Sequence, residues 1–226
     1  MRYNQDGSLD DGRLDHSGLD DGGLLDSTPG DQFGLDGTVR TDFGLPADNG
    51  LVSDDTVKDL VLQPDGKIVA GGTANSGQFA LARYNVDGTI DESFGEEGKK
   101  TTDFPGGSGG TMAALVRQPG GKLLAAGNTR TSDTGPSDFA LVRYQPNGRE
   151  DTTFGDDVFP DINVPKPVPD GIKTTRFAPG ENAAEGQDVV LDADGKIVVA
   201  GFFRSVPNNP TFQRFRPGAL PVLGHS

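Results

Sequence analysis

The chain has 226 residues, a formal net charge of −14, no cysteine, 34 glycines and 16 prolines. The acidity argues against nucleic acid or an anionic membrane surface as a partner. Without thiols there is no disulfide framework and the redox compartment is left open, and no apolar run is long enough to insert in a bilayer. So much Gly and Pro, placed at turns, marks a loop-rich β protein.

In chain order, Met1 is followed by Arg2-Tyr-Asn-Gln-Asp-Gly-Ser-Leu-Asp10, which matches Arg83-Tyr-Asn-Val-Asp-Gly-Thr-Ile-Asp91 further on. Residues 1–10 therefore read as the remnant of a preceding repeat. No basic and apolar leader stands before them, so no signal peptide is expected, and the chain is expected to begin inside a repeat array. Residues 11–32 interrupt the pattern. Leu9, Leu14, Leu19 and Leu24 recur every fifth residue among Asp and Gly, a spacing that suits neither strand nor helix. The segment reads as a disordered insert, or as a weak calcium tract, since hard cations favour clustered carboxylates.

Three repeats follow, at 33–93, 94–153 and 154–215. In the first, strands are expected at Gly37–Phe43, Val57–Leu62, Lys67–Gly71 and Gln78–Tyr84. The second has the same fourth strand at Phe139–Tyr144. The third carries a Pro-rich insertion, Pro160 to Pro169, and a degenerate last strand, Phe212-Gln-Arg-Phe215. Residues 216–226 are an irregular tail, where Pro217 and Pro221 exclude a central strand.

The organising stretch is Leu62-Gln-Pro-Asp-Gly-Lys-Ile-Val-Ala-Gly-Gly72. It returns as Arg117-Gln-Pro-Gly-Gly-Lys-Leu-Leu-Ala-Ala-Gly127 and Leu191-Asp-Ala-Asp-Gly-Lys-Ile-Val-Val-Ala-Gly201. Asp65-Gly66, Gly120-Gly121 and Asp194-Gly195 suit a tight type I′ hairpin. The strand after each turn is apolar on both faces, so it needs cover on both sides. Gly72, Gly127 and Gly201 then fit a place where backbones crowd. These demands are met by an all-β, propeller-like array of about three four-stranded antiparallel blades. Three blades do not close a ring, so an open propeller that self-associates through its apolar end faces is expected.

Chemistry is sparse. His16 and His225 are the only histidines and neither lies in a repeat core. Pro105-Gly-Gly-Ser-Gly-Gly110 lacks the Lys-Ser/Thr ending of a phosphate loop. Asn85 with Asp87, and Asp192 with Asp194, place alternating oxygens before a glycine, as calcium loops do, although neither supplies a full ligand set. Arg83, Arg143 and Arg214 recur on the Phe/Leu side of the fourth strand, with Asp91 and Asp151 shortly after. Two readings stand: a structural Arg–Asp latch repeated from blade to blade, because an unpaired buried guanidinium is costly, or a surface Arg whose stem covers apolar neighbours.

The run Gln63-Pro-Asp-Gly-Lys-Ile-Val-Ala-Gly71, then Phe79-Ala-Leu-Ala-Arg-Tyr-Asn-Val-Asp-Gly-Thr-Ile-Asp-Glu-Ser-Phe-Gly95, resembles the bacterial delta-60 repeat, a propeller repeat of unknown function. The resemblance covers about residues 33–215 and the fragment 1–10, and is weakest in the third repeat, where Thr175-Arg-Phe177 replaces Thr41-Asp-Phe43. It implies a secreted or cell-surface bacterial protein and brings no catalytic residue and no cofactor. The expected function is a non-enzymatic binding or structural propeller whose partner is a protein or a polysaccharide. The alternatives are a polysaccharide hydrolase or lyase with paired carboxylates, and a fragment without independent function.

Overall fold

The structure is a computed structural model and describes residues 1–3, 33–34, 37–44, 55–74, 77–104, 109–130, 136–155, 171–175, 183–203 and 209–215. The acidic insert, the Pro160–Pro169 stretch, both histidines and the tail lie outside these residues. Strands β1 (Thr56–Leu62), β2 (Ile68–Ala74), β3 (Gln78–Tyr84) and β4 (Lys99–Thr102) form one antiparallel sheet in that order. A second holds β5 (Gly110–Arg117), β6 (Leu123–Arg130), β7 (Ser137–Tyr144) and β8 (Ile172–Thr175). The third holds β9 (Ala184–Leu191), β10 (Ile197–Phe203) and β11 (Asn209–Phe215), with β10 in the middle.

Sheet and sequence repeat are offset by one strand. The strand that opens the repeat at 94–153 lies on β3 as the fourth strand of the preceding sheet, so repeats 33–93, 94–153 and 154–215 are not themselves blades. The cause is local. The Asn85–Thr89 turn and the Asp91–Phe94 turn fold the chain straight back, and Arg83 N donates to Gly98 O at 3.0 Å. Pairing with the strand just left behind closes a short loop, which costs less entropy than crossing first to a new sheet. Arg143 N to Gly171 O, and Arg2 N to Gly37 O, both 2.9 Å, repeat the contact. Gly37–Phe43 thus holds the fourth-strand place beside residues 1–3.

The hairpin turns also differ from the type I′ expectation. Among the described residues the only non-glycine with positive φ is Glu97, so Asp65 and Asp194 stay on the negative side. Gly66 N donates to Gln63 O and Gln63 N to Lys67 O, which defines a three-residue loop ending in a left-handed glycine, Gly66 with φ 82. The same loop forms at Asp192–Lys196, where Ala193 stands in place of Pro64 and Gly195 has φ 75, so the left-handed glycine at its third position defines it and the proline is not required.

The sheets stack face to face. Val69, Phe79 and Leu81 of the first share a buried cluster with Met112, Leu115, Leu123, Ala125, Val142 and Tyr144 of the second. On its other side the second sheet packs Leu124, Ala126, Phe139 and Leu141 with Ala184, Val189, Ile197 and Val199 of the third. The uninterrupted run Leu123-Leu-Ala-Ala126 is buried throughout because successive residues face different neighbours. Phe79 adds an edge-to-face contact with Phe104, centroids 4.8 Å apart.

The recurrent glycines sit where each inner strand bulges. The register shifts between Val57 and Asp59, between Met112 and Ala114, and between Ala200 and Gly201. The bulge pushes a carbonyl across the partner strand, so a Cβ at Gly72, Gly127 or Gly201 would run into the oxygen of Thr56, Thr111 or Glu185. Gly127 also has Phe79 against it. Gly120 is a contrast, with positive φ (83°) and nothing within 4 Å of an added Cβ. Gly127→Ala should therefore cost about 3 kcal/mol through overpacking, and Gly120→Ala about 1 kcal/mol from its left-handed backbone. Denaturant midpoints check the ranking; equal losses would contradict the bulge packing.

Candidate functional site

The charged residues that recur in the repeats converge on one aspartate per repeat. Lys67 leaves the hairpin turn at the foot of β2, and Arg83 lies near the end of β3. The chain then turns so that Asp91 N donates to Arg83 O at 2.9 Å. Asp91 Oδ2 accepts from Lys67 Nζ and from Arg83 Nε, both at 2.6 Å, while Oδ1 accepts from Ser93 Oγ at 2.7 Å and Ser93 N at 3.2 Å. The second repeat copies this arrangement. Asp151 Oδ2 accepts from Lys122 Nζ and Arg143 Nε, both at 2.7 Å. Its Oδ1 accepts from Gln145 Nε2 at 2.7 Å and from Thr153 Oγ1 at 2.8 Å. Asp151 is fully buried, which is tolerable only because every lone-pair direction meets a donor.

From this intrablade ion pair the arginine reaches the next blade. Arg83 lies over Phe94, 4.7 Å from the ring centroid, and donates from Nη1 to Pro146 O at 2.8 Å. Gly95 N donates to Asn147 O at 2.8 Å. The turn at Gln145–Arg149 is thus gripped by the Phe94-Gly95 step, and a Cβ at Gly148 would lie 2.8 Å from the Phe94 ring and 2.9 Å from Gly95 N. The same grip occurs at the start of the chain. Arg2 lies 5.1 Å over Phe33 and donates to Val86 O at 2.6 Å, and Gly34 N donates to Asp87 O at 2.7 Å. Arg143 lies 4.5 Å over Phe154. Arg83 and Arg143 are thus paired with Asp and lie with the guanidinium on an aromatic ring, and neither is the surface arginine of the second reading.

A second link joins the blades further out. Thr102 Oγ1 donates to Glu150 Oε1 at 3.0 Å and so accepts from Tyr144 OH at 2.9 Å. Lys100 Nζ also meets Glu150 Oε1, at 2.7 Å. Thr41 and Tyr84 stand in the same relation at 2.6 Å.

The calcium candidates have other uses in the structure. Asp87 Oδ1 accepts from Thr89 N and Thr89 Oγ1, and Asn85 Nδ2 donates to Thr89 Oγ1. Asp192 Oδ1 accepts from Asp194 N and Lys196 N, and Asp194 pairs with Lys196 Nζ. Among the described residues no group of three carboxylates, histidines or cysteines could hold a metal ion. Arg214 occupies the register position of Arg83, pairing with Val198 as Arg83 does with Val69. From the sequence Lys67 and Lys122 had a place in the recurring stretch but no partner, and that they complete the Asp site was missed. Their recurrence before each apolar run was the available signal.

Burial alone would push the Asp91 and Asp151 carboxyls up. The hydrogen bonds from Lys67 and Ser93, or Lys122 and Thr153, together with the charge of Arg83 or Arg143, overcome that and hold both well below the ordinary carboxylate range. Burial pushes the Tyr144 phenol up; its bond to Thr102 pulls the other way and the Glu150 charge adds to the rise. An unfolded Asp titrates near about 3.9, above the folded value. The stabilisation from each pair is thus complete above about pH 4 and is lost as pH falls from there through the folded pKa. Asp151→Asn should lower stability by about 2–3 kcal/mol at neutral pH, because it leaves Lys122 and Arg143 without a counter-charge. Its stability should also fall less steeply than the parent's below about pH 4. Urea melts across pH check both, and parallel curves would show that Asp151 is not the titrating group.

No curated protein matches the chain. Among solved structures, an endo-arabinase from Bacteroides thetaiotaomicron aligns at 12% identity and TM-score 0.38, over 73% of this chain and 56% of that one. A protein of unknown function from Bacteroides caccae aligns at 10% identity and TM-score 0.32, over 71% of this chain and 46% of that one. The chain therefore spans about half the length of these structures. Residues 63–94, 118–154 and 193–215 are similar to a family described as a domain of unknown function (DUF5122) beta-propeller, and the first two matches run from the turn glutamine to the phenylalanine beneath the arginine.

Proposed function

We propose that the chain is a non-enzymatic segment of a bacterial secreted or cell-surface propeller, with a binding or structural role toward a protein or polysaccharide. The observation that carries this reading is the fate of the recurrent carboxylates. Asp91 and Asp151 are buried and each is capped by a lysine and an arginine. A general acid or base must exchange its proton with substrate near the working pH, and these groups are held ionised for structural ends. The location rests on the resemblance to delta-60 repeats. A hydrolase or lyase of polysaccharide has no comparable support, since the carboxylates that recur are already occupied. Incubation with neutral and anionic polysaccharides should leave the number of reducing ends and of unsaturated ends unchanged. A rise in either with the parent protein, lost on substitution of a solvent-facing carboxylate, would overturn the reading.

A further inference from the structure

The two ends of the stack are complementary halves of one interface already seen inside it. Between the first and second sheets, Met112 and Leu115 of β5 lie over Gly71 of β2, where an added Cβ would meet both side chains. Met112 pairs with Gly127, and Leu115 with Ala125. On the first sheet the same register positions belong to Val57, opposite Gly72, and Leu60, opposite Ala70. Met112 and Leu115 are 0% and 5% exposed, yet Val57 and Leu60 are 62% and 60% exposed. Val57 also borders a cavity of about 90 Å³ with Val39, Phe43, Ala70, Ala82 and Tyr84. Gly72 lines this cavity, whereas Gly127 has Phe79 of the preceding sheet against it. Among the described residues the first sheet thus has a receiving face on which Val39 and Phe43 pack but no sheet lies over Val57 and Leu60.

The third sheet has the opposite number. Ala200 pairs with Phe212 as Gly71 pairs with Leu81 and Ala126 with Leu141. Val190 pairs with Val198 as Val61 pairs with Val69 and Val116 with Leu124. Val61 and Val116 pack into the clusters between sheets, but Val190 is 51% exposed, and Val198 and Ala200 are only half-buried while their neighbours Ile197 and Val199 are fully buried. This face is of the kind that the first sheet offers to the second.

The strand inventory agrees. Among the described residues the third sheet has three strands, and β4 and β8 show what its fourth would be. Gly37–Phe43 has the credentials of that strand: Gly37 O accepts from Arg2 N as Gly98 O does from Arg83 N, and Thr41 meets Tyr84 as Thr102 meets Tyr144. It belongs to no named sheet. Arg214 and Phe215 hold in the third sheet the register positions that Arg83 and Tyr84 hold in the first, which are those of Arg2 and Tyr3 beside Gly37.

We infer that a second copy of this chain docks head to tail, its Val57 and Leu60 over Ala200 of the first copy and its Gly37–Phe43 passing from its own residues 1–3 to β11 as the fourth strand, Arg214 and Phe215 taking the places of Arg2 and Tyr3. The contact is heterologous, so repetition gives either a ring or a filament. Two copies of three sheets make six, within the four to eight blades of closed propellers, and a closed pair leaves no end face bare. The association rests on packing alone and does not depend on the functional reading above.

The chain has no cysteine, so engineered thiols report the contact without background. Leu60→Cys and Ala200→Cys chains, each on an exposed or half-buried position, should form a disulfide-linked pair when mixed under mild oxidation, and neither should cross-link with itself. Light scattering on the parent should give the mass of two chains, constant with concentration. Leu60→Asp and Ala200→Glu should each be monomeric with unchanged circular dichroism, and mixing the two should restore a dimer through the one interface that remains unaltered. A monomeric parent, self-cross-linking of either single variant, a dimer in which the mixed thiols do not link, or mass that grows without limit would each overturn the closed head-to-tail pair.

Discussion

A carboxylate taken out of water has to be met by fixed donors, and this molecule solves that problem in the same way at Asp91 and Asp151. Each receives a lysine from the foot of the second strand, an arginine from the end of the third and a hydroxyl two residues downstream. The three sources lie on separate pieces of chain, so satisfying the charge also fixes how the hairpin, the third strand and the following turn sit relative to one another. The desolvation cost is what makes the arrangement specific, because a geometry that loses one donor leaves a buried charge uncovered. The arginine then has donors to spare, and one goes to a carbonyl of the next sheet, Pro146 O. Order within a sheet is in this way converted into order between sheets.

Close backbone approach supplies the other half of the design. Gly72, Gly127 and Gly201 let a bulged inner strand press its carbonyl across its neighbour, and Gly71 leaves room for Met112. Bulges strengthen the twist of a strand, and twisted sheets of similar shape can stack face to face with side chains interdigitated, as the two buried clusters do. Apolar burial supplies the attraction and the polar clasps supply the register. Neither alone would choose this arrangement, since Ala and Gly faces are smooth enough to slide.

Much of this was legible in the residues. The strands, the crowding glycines and the Arg–Asp pairing follow from alternation, small residues at fixed positions and the penalty for an uncovered charge. Three features were not legible, for physical reasons. Which sheet a strand joins depends on loop closure after the Phe-Gly step, so the offset between repeat and blade leaves no mark in composition. The choice between turn types depended on whether the aspartate or only the glycine takes positive φ, which an Asp-Gly pair leaves open. The role of the Asn85–Thr89 and Gln145–Arg149 loops was hidden because Asp-Gly serves a turn, a calcium loop and a docking surface equally well. Only the carbonyls of Val86 and Pro146, which no side-chain pattern encodes, separate those uses.

The third repeat carries only part of the clasp's residues in its sequence. Lys196 stands where Lys67 and Lys122 stand, but the residue eight beyond Arg214 is Val222 rather than an aspartate. The lysine turns instead to Asp194, an exposed residue of its own hairpin, and an ion pair in water holds little. β9 and β10 nonetheless keep their register and bury Val189, Ile197 and Val199 on the second sheet. Apolar stacking against a neighbour is therefore enough to seat a sheet, while the charged clasp is what equips a sheet to hold the one after it.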